Sequence, residues 1–266
     1  MADPAARPGA ETPIAASLAA QRTLRLVLSY DGTAFHGWQV QPDVPTVQGV
    51  LLERARAVLG GEARLVGASR TDAGVHALRQ AASLNTTSRL PASAIMAALN
   101  AGLPPAVRVL EAAEAAATFD ARRSAAGKRY LYVIDAGPIA APLLVRYAWH
   151  VRGRLDLDAM RAGLAALRGR HDFSAFCAAP GREADPMCFV RALHVRRAKT
   201  RVAILVSADR FLHHMVRNIV GSAVEVARDA RAPAWLAEVL AGKDRTRAGP
   251  TAPAHGLTLV RVLYPR

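Results

Sequence analysis

The residues with the clearest chemical potential lie in the stretch GASRTDAGVHALRQ, Gly67–Gln80. The pattern predicts that a strand ends at Ala68 and that Ser69–Gly74 form a tight polar turn. Catalytic groups often lie on loops at strand ends, because the sheet holds such loops still. The turn carries one carboxylate, Asp72, and Arg70 two positions earlier would stabilise its ionised form. Asp and Gly are also common turn residues, so the turn taken alone favours a structural role.

The familiar cofactor-binding motifs are missing from the sequence. None of the 19 glycines has another glycine two positions away, so the dinucleotide-binding pattern G-x-G-x-x-G cannot occur. The patterns G-x-x-x-x-G-K-[ST], H-E-x-x-H and G-x-S-x-G are also missing. Functions that need nicotinamide, ATP or S-adenosylmethionine in their common binding motifs therefore lose most of their support.

The adjacent residues His213 and His214 raise the question of a metal site. The surrounding pattern predicts a helix over His213–Arg228, in which neighbouring side chains point about 100° apart. Two such side chains do not converge on one ion, so we expect no metal there.

The charge of the chain favours a polyanionic partner. Lys and Arg total 35 against 21 acidic residues, a formal net charge of +14. Lys128, Lys199 and Lys243 are the only lysines, and a GC-rich genome explains this choice of Arg over Lys. It does not explain the excess of base over acid. Since Arg grips phosphate bidentately and each neutralised phosphate releases counterions, we expect nucleic-acid binding.

Cysteine usage and hydropathy indicate the cellular setting. Cys177 and Cys188 are the only cysteines and form no C-x-x-C motif, so a reduced, cytoplasmic setting fits best. No apolar run approaches the roughly 20 residues needed to cross a bilayer, and no membrane association is expected. Residues 1–22 lack the basic start and apolar core of a signal peptide and are predicted to form a disordered tail.

The first half of the folded chain alternates strands and helices. TLRLVLSY alternates apolar and polar residues and predicts a strand, whereas the Gly- and Pro-dense DGTAFHGWQVQPDVP predicts a long loop. Thr46 can cap a helix that stops at Gly60, and Pro91 opens another. Short strands are predicted at Ala63–Ala68 and Ala81–Asn85.

A second unit begins near Phe119–Ser124. KRYLYVIDAG and RYAWHV predict strands, Asp156 opens a helix closed by Gly169, and GLTLVRVLY predicts a terminal strand. The order strand, loop, helix, strand thus occurs in both halves. We expect an α+β fold of two similar α/β units, residues 23–118 and 119–266, each an antiparallel or mixed sheet with helices on one face.

Six blocks of the sequence resemble, in order, the tRNA pseudouridine synthase A family. GASRTDAGVHALRQ resembles its catalytic signature, and YDGTAFHGWQVQ followed by TVQGVLL is similar to its opening strand, loop and first helix. FDARRSAAGKRYLY, GRHDFSAFC, RFLHHMVRNIVG and TAPAHGLTLVRVLYP are similar to later blocks. The resemblance extends from Leu24 to Pro265. Thr258, where many relatives have Tyr, and the segment CAAPGREADPM depart from the family pattern.

The resemblance implies a function and an architecture. It implies a cofactor-free enzyme that isomerises uridine to pseudouridine in the anticodon stem-loop of tRNA, at tRNA positions 38–40. It also implies that the sheets of the two halves meet at a central basic cleft, and that the enzyme is a homodimer with tRNA crossing both subunits.

The resemblance also assigns roles to residues. Asp72 would be the nucleophile and later take part in proton transfer, and Arg217 would form an ion pair with it. Tyr130 would lie against the flipped base, replacing its lost stacking. Arg70 would hold the flipped nucleotide or its phosphate.

For a further set of residues two roles remain open, namely contact with RNA or a place on the solvated surface. They concern the basic residues Arg122, Arg123, Lys128 and Arg129, and the loop residues His36 and Gln39. For His171 and Asp172 we expect a structural capping role rather than a catalytic dyad.

Two other classes of protein compete with the enzyme. A non-catalytic RNA-binding protein or RNA chaperone could keep the fold and the charge, but it would not need Asp72, Tyr130 and Arg217 together. An RNA methyltransferase would need the glycine loop that this sequence lacks.

Overall fold

The computed structural model describes residues 21–60, 63–178 and 185–265. The predicted tail therefore lies outside the described residues except for Gln21 and Arg22, and Arg22 is already the first residue of a strand. Most of the atypical segment CAAPGREADPM, namely residues 179–184, also lies outside them.

The described chain contains ten strands and five α-helices, joined by loops and short 3₁₀ turns. In chain order they are β1 Arg22–Tyr30, α1 Val47–Leu59, β2 Arg64–Gly67, β3 His76–Thr86, α2 Ala92–Gly102, β4 Val107–Ala115, β5 Gly127–Asp135, β6 Trp149–His150, α3 Leu157–Ala165, β7 Gly169–Asp172, β8 Met187–Ala198, β9 Arg201–Ala208, α4 Met215–Ala227, α5 Trp235–Gly242 and β10 Leu257–Leu263. Within these ranges, no helix is long and apolar enough to span a membrane.

All ten strands belong to one sheet, which confirms the α+β class. Its main path runs β4-β1-β3-β10-β5-β9-β8-β7, with β2 paired to β3 and β6 to β5. The last strand of the chain, β10, lies between β3 of the first half and β5 of the second. It pairs in parallel with β3, where Thr258 is opposite His76, and antiparallel with β5, where Leu259 is opposite Tyr130. The two halves therefore share a continuous sheet, and the predicted boundary after residue 118 falls between β4 and β5.

The core explains why this sheet and its helices hold together. Alternate residues of β5 are buried, including Tyr130, Tyr132 and Ile134, as the pleat of a strand requires. Helix α4 is buried along most of its length, with Ile219 and Val220 fully enclosed. One hydrophobic cluster contains residues from both halves.

Several predicted element ends are confirmed. The Thr46 side chain accepts a hydrogen bond from the Gly49 amide and caps α1, which ends at Gly60 in the left-handed conformation (φ 68°). The Asp156 side chain accepts from the amides of Asp158 and Ala159 and caps α3.

Other element ends differ from the prediction. Helix α3 stops at Ala165, and Gly169 (φ 102°) instead begins β7. Of RYAWHV only Trp149 and His150 form a strand, because β6 meets β5 over just two residues. Helix α4 begins at Met215 rather than at His213.

Candidate active site

The turn that carries Asp72 follows β2 and is closed by backbone hydrogen bonds. The amide of Ala68 donates to the carbonyl of Ala81 at 2.8 Å, and the amide of Val75 donates to the carbonyl of Asp72 at 3.1 Å. The Thr71 hydroxyl is 2.7 Å from the buried Tyr30 hydroxyl. The Asp72 side chain is only 22% exposed, so it is partly protected from water.

The loop between β1 and α1 packs against this turn and is joined to it by backbone hydrogen bonds. The Trp38 amide donates to the Thr71 carbonyl at 3.0 Å, and the Gly74 amide donates to the Phe35 carbonyl at 3.3 Å. Gly37 has φ 88°, and a Cβ at this position would lie 2.6 Å from the Thr71 carbonyl oxygen. The loop therefore requires glycine there to approach the turn closely.

Arg217 reaches Asp72 from the first turn of α4. Its Nη1 is 3.0 Å from Asp72 Oδ2, and its Nε donates to the carbonyl of Ala252 at 2.8 Å. A cation in the first helical turn is disfavoured by the helix dipole, and the adjacent carboxylate offsets this. The two contacts fix the guanidinium in one orientation.

The two histidines converge on Asp72, contrary to our expectation. They precede α4 instead of lying in it, and His214 has the left-handed φ of 58°. This backbone places their rings side by side, with centroids 3.9 Å apart. His214 Nε2 is 3.3 Å from Asp72 Oδ2, and His213 Nε2 is 4.0 Å from Asp72 Oδ1. The predicted divergence of the two histidine side chains is therefore wrong, because both residues precede the helix.

Tyr130 lies on β5 beside the turn. Its hydroxyl is 2.8 Å from the Ser69 hydroxyl, and its ring meets Phe211 edge-on at 5.0 Å. Burial raises the pKa of Tyr130 to about 12, and the nearby Asp72 carboxylate acts in the same direction. The hydroxyl therefore stays protonated at neutral pH.

Asp72, Tyr130 and both histidines line a cleft of about 380 Å³ at the junction of the two halves. Asp72 and Arg70 come from the first half, whereas Tyr130 and the segment from Phe211 to Val216 come from the second. Among the described lining residues Asp72 is the only acid, and Arg70, Arg122 and Lys128 provide positive charge. Burial, followed by repulsion from Arg122 and Arg210, lowers the pKa of Lys128 to about 8.

The other candidates lie elsewhere. His36 and Gln39 are exposed in the loop after β1, and Arg123 and Arg129 are not part of the cleft lining. Asp172 accepts hydrogen bonds from the amide and hydroxyl of Ser174, at 2.9 and 2.6 Å, although the residue at the capping position of the 3₁₀ turn Ser174–Phe176 is Phe173.

Sequence reasoning missed part of the cleft. The sequence pattern predicts no site at His213 and His214, and it does not mark Phe211 or Leu257 as site residues. For Phe211 and the two histidines, the only signal in the sequence is that RFLHHMVRN places them close to Arg217 in the same block. The contribution of Leu257 depends on the position of β10, which only the sheet topology reveals.

Comparison with known proteins agrees with this architecture. The fold and the site together define an α+β protein whose basic cleft contains one carboxylate, which is ion-paired with an arginine. The family profile described as tRNA pseudouridine synthase matches residues 26–122 and 164–265. Over 242 residues the chain is 45% identical to tRNA pseudouridine synthase A of Myxococcus xanthus, covering 91% of each chain. It is 43% identical to the tRNA pseudouridine synthase A of Brevibacillus brevis, covering 91% of this chain and 100% of that one. The chain belongs to the tRNA pseudouridine synthase family, as the resemblance predicted.

Proposed function

We propose that this protein isomerises uridine to pseudouridine in tRNA, with Asp72 as the nucleophile. Membership of the family supports the activity. The single structural observation that carries it is the Asp72 carboxylate, ion-paired with Arg217 inside a basic cleft. A non-catalytic RNA-binding protein would have no need of that pair, and family membership favours the enzyme.

The chemistry requires one protected carboxylate and a site that retains the free base. The bond between the ribose carbon and uracil N1 breaks, the base turns while bound, and the ribose carbon joins uracil C5. C5 then loses its proton and N1 gains one, so the product is an isomer of the substrate. An ionised carboxylate can attack or stabilise the electron-poor carbon during glycosyl transfer. Arg217 fixes the direction of the Asp72 carboxylate.

The flipped nucleotide would contact Tyr130 and Arg70. The Tyr130 ring is held by Ser69 and Phe211, so it offers a rigid aromatic surface to an unstacked uracil. Arg70 is exposed at the cleft and can reach the nucleotide or its phosphate. No cofactor takes part in this scheme.

The substrate in this proposal is the anticodon arm of tRNA, and the setting is the cytoplasm. The charge of +14 and the basic cleft lining support contact with a phosphate backbone. The affinity for tRNA should therefore fall linearly with salt concentration on a log–log plot. A salt-independent affinity would contradict the backbone contacts.

The activity is tested by incubating the protein with unmodified tRNA and mapping pseudouridine. Wild type should form it in the anticodon arm, and Asp72→Asn should form none. Asp158→Asn is a matched control, because Asp158 is an exposed acid on α3 whose side chain is 94% exposed. Failure of wild type to form pseudouridine, or equal turnover by Asp72→Asn, would refute the proposal.

We also propose that the protein is a homodimer. Ile139 and Leu143 support this, because these large apolar residues, four positions apart in the chain, are 81% and 90% exposed and would be covered in a dimer interface. Sedimentation equilibrium should give twice the chain mass for wild type. Leu143→Asp should shift the protein towards monomer, whereas Leu110→Asp, on β4, should not; a monomeric wild type would refute the dimer.

A further inference from the structure

Three side chains with metal-binding atoms converge inside the cleft. One oxygen of Asp72 and one ring nitrogen each of His213 and His214 lie within 4.8 Å of one another. His214 Nε2 is 3.3 Å from Asp72 Oδ2, and His213 Nε2 is 4.0 Å from Asp72 Oδ1. Ligand atoms around a tetrahedral zinc ion, bonded at about 2.0–2.1 Å, are about 3.3–3.5 Å apart. Small side-chain rotations would bring the three groups to that spacing.

The backbone holds both histidines in this arrangement. His214 adopts φ 58°, a left-handed conformation that non-glycine residues rarely adopt. The carbonyl of His214 accepts a hydrogen bond from the Asn218 amide at 2.9 Å, so the residue is anchored to the start of α4. The left-handed residue therefore turns two neighbouring rings to the same side, where their centroids lie 3.9 Å apart at a tilt of 35°.

The donor set selects a class of ion. Imidazole nitrogens suit zinc, nickel, cobalt and copper, whereas magnesium and calcium prefer oxygen ligands. Three protein ligands leave further coordination positions open to water. Here those positions face the cleft, since the side chains of His213 and His214 are 50% and 26% exposed.

The positive charge beside the carboxylate limits the affinity for such an ion. Arg217 occupies Asp72 Oδ2 and adds a nearby positive charge, but Oδ1 remains directed towards His213. The repulsion from Arg217 should keep the affinity moderate.

We propose that Asp72, His213 and His214 form a binding site for one divalent transition-metal ion, and that the bound ion blocks the Asp72 carboxylate. Binding itself is independent of the proposed function, whereas inhibition rests on it. The ion is an inhibitory ligand in this proposal and takes no part in the isomerisation.

Binding is tested by titrating tag-free, full-length protein with Co²⁺ and recording its visible absorption. We expect saturation at one ion per chain, with the bands of a site that contains nitrogen ligands. His213→Asn, His214→Asn and Asp72→Asn should each weaken binding by about tenfold or more. His194→Asn is the matched control, because His194 is exposed on β8 and should leave the titration unchanged.

His213→Asn keeps the test valid should His214→Asn fail to fold. Absence of saturable Co²⁺ binding to wild type, or unchanged binding by folded His213→Asn, would overturn the site. In a separate assay, Zn²⁺ should inhibit pseudouridine formation by wild type reversibly, with recovery on adding a chelator. The same Zn²⁺ concentration should inhibit His213→Asn much less, relative to the metal-free rate of that variant. Wild type that binds Co²⁺ but forms no pseudouridine would refute the proposed function and leave the metal site standing.

Discussion

Arg217 Nη1 lies 3.0 Å from Asp72 Oδ2, although 145 positions separate the two residues in the chain. The pair joins the turn after β2 to the first turn of α4, and a second hydrogen bond, to Ala252, anchors the guanidinium. The orientation of the carboxylate therefore depends on contacts between the two halves of the chain.

Arg217→Ala should reduce pseudouridine formation by about a hundredfold or more, because loss of the ion pair frees the carboxylate to move by an ångström or so. The fold should be retained, although loss of this mostly buried pair and of the hydrogen bond to Ala252 should cost about 1–3 kcal/mol of stability. Arg217→Lys should rescue little, because a single ammonium cannot reproduce the fixed fork that contacts both Asp72 and Ala252. Single-turnover kinetics and urea unfolding measure the two effects; full turnover by Arg217→Ala would refute the role of the pair.

Tyr130→Phe and Ser69→Ala should have similar effects on stability. Each removes the same buried hydrogen bond, so each should lower the free energy of unfolding by about 0.5–1.5 kcal/mol. Tyr130→Ala removes the ring as well, and it should weaken binding of the flipped base by about 1–3 kcal/mol. Urea unfolding and single-turnover kinetics give these quantities. If Tyr130→Ala and Tyr130→Phe turn over alike, the ring does not contact the base.

Gly37→Ala should reduce both stability and activity, because its Cβ would displace the Thr71 carbonyl and with it the Asp72 turn. Gly60→Ala is the matched control. Gly60 also has a positive φ of 68°, but a Cβ there meets nothing within 4 Å. Both changes should cost about 1–3 kcal/mol of stability through backbone strain, whereas only Gly37→Ala should slow turnover by folded protein. Equal turnover by the two variants would contradict the supporting role of the loop.

Lys128→Met should stabilise the protein at pH 7, because the wild type buries a charged ammonium there. The pKa of Lys128 is lowered to about 8 in the folded protein from 10.5. Between these pH values the unfolded chain binds the additional proton, so the stability of wild type rises with pH. The advantage of Lys128→Met should therefore shrink from pH 8 upwards, as thermal unfolding across pH would show.

Lys128→Met should also weaken tRNA binding at pH 7 and have much less effect at pH 9, where wild type has mostly lost this charge. Lys199→Met, at an exposed turn, controls for general loss of charge. An effect of Lys128→Met that is the same at both pH values would contradict the lowered pKa.

The sequence alone determined the family, the α+β class and the residues Asp72, Tyr130 and Arg217 as candidates. The family and these candidates follow from six ordered blocks that resemble the family, whereas the α+β class depends on local information, namely capping residues such as Thr46 and Asp156 and alternation along strands. Such signals survive in the sequence because each is decided by neighbours within a few positions.

Only the tertiary structure decided how these local pieces meet. Insertion of β10 between β3 and β5 joins the halves into one sheet, and no local pattern encodes that pairing. The position of His213 and His214 beside Asp72 was decided by a left-handed residue before α4, at a point where sequence periodicity predicted continuous helix. Long-range pairing and a single unusual φ value leave no periodic trace in the sequence, because both are fixed by packing against distant parts of the chain.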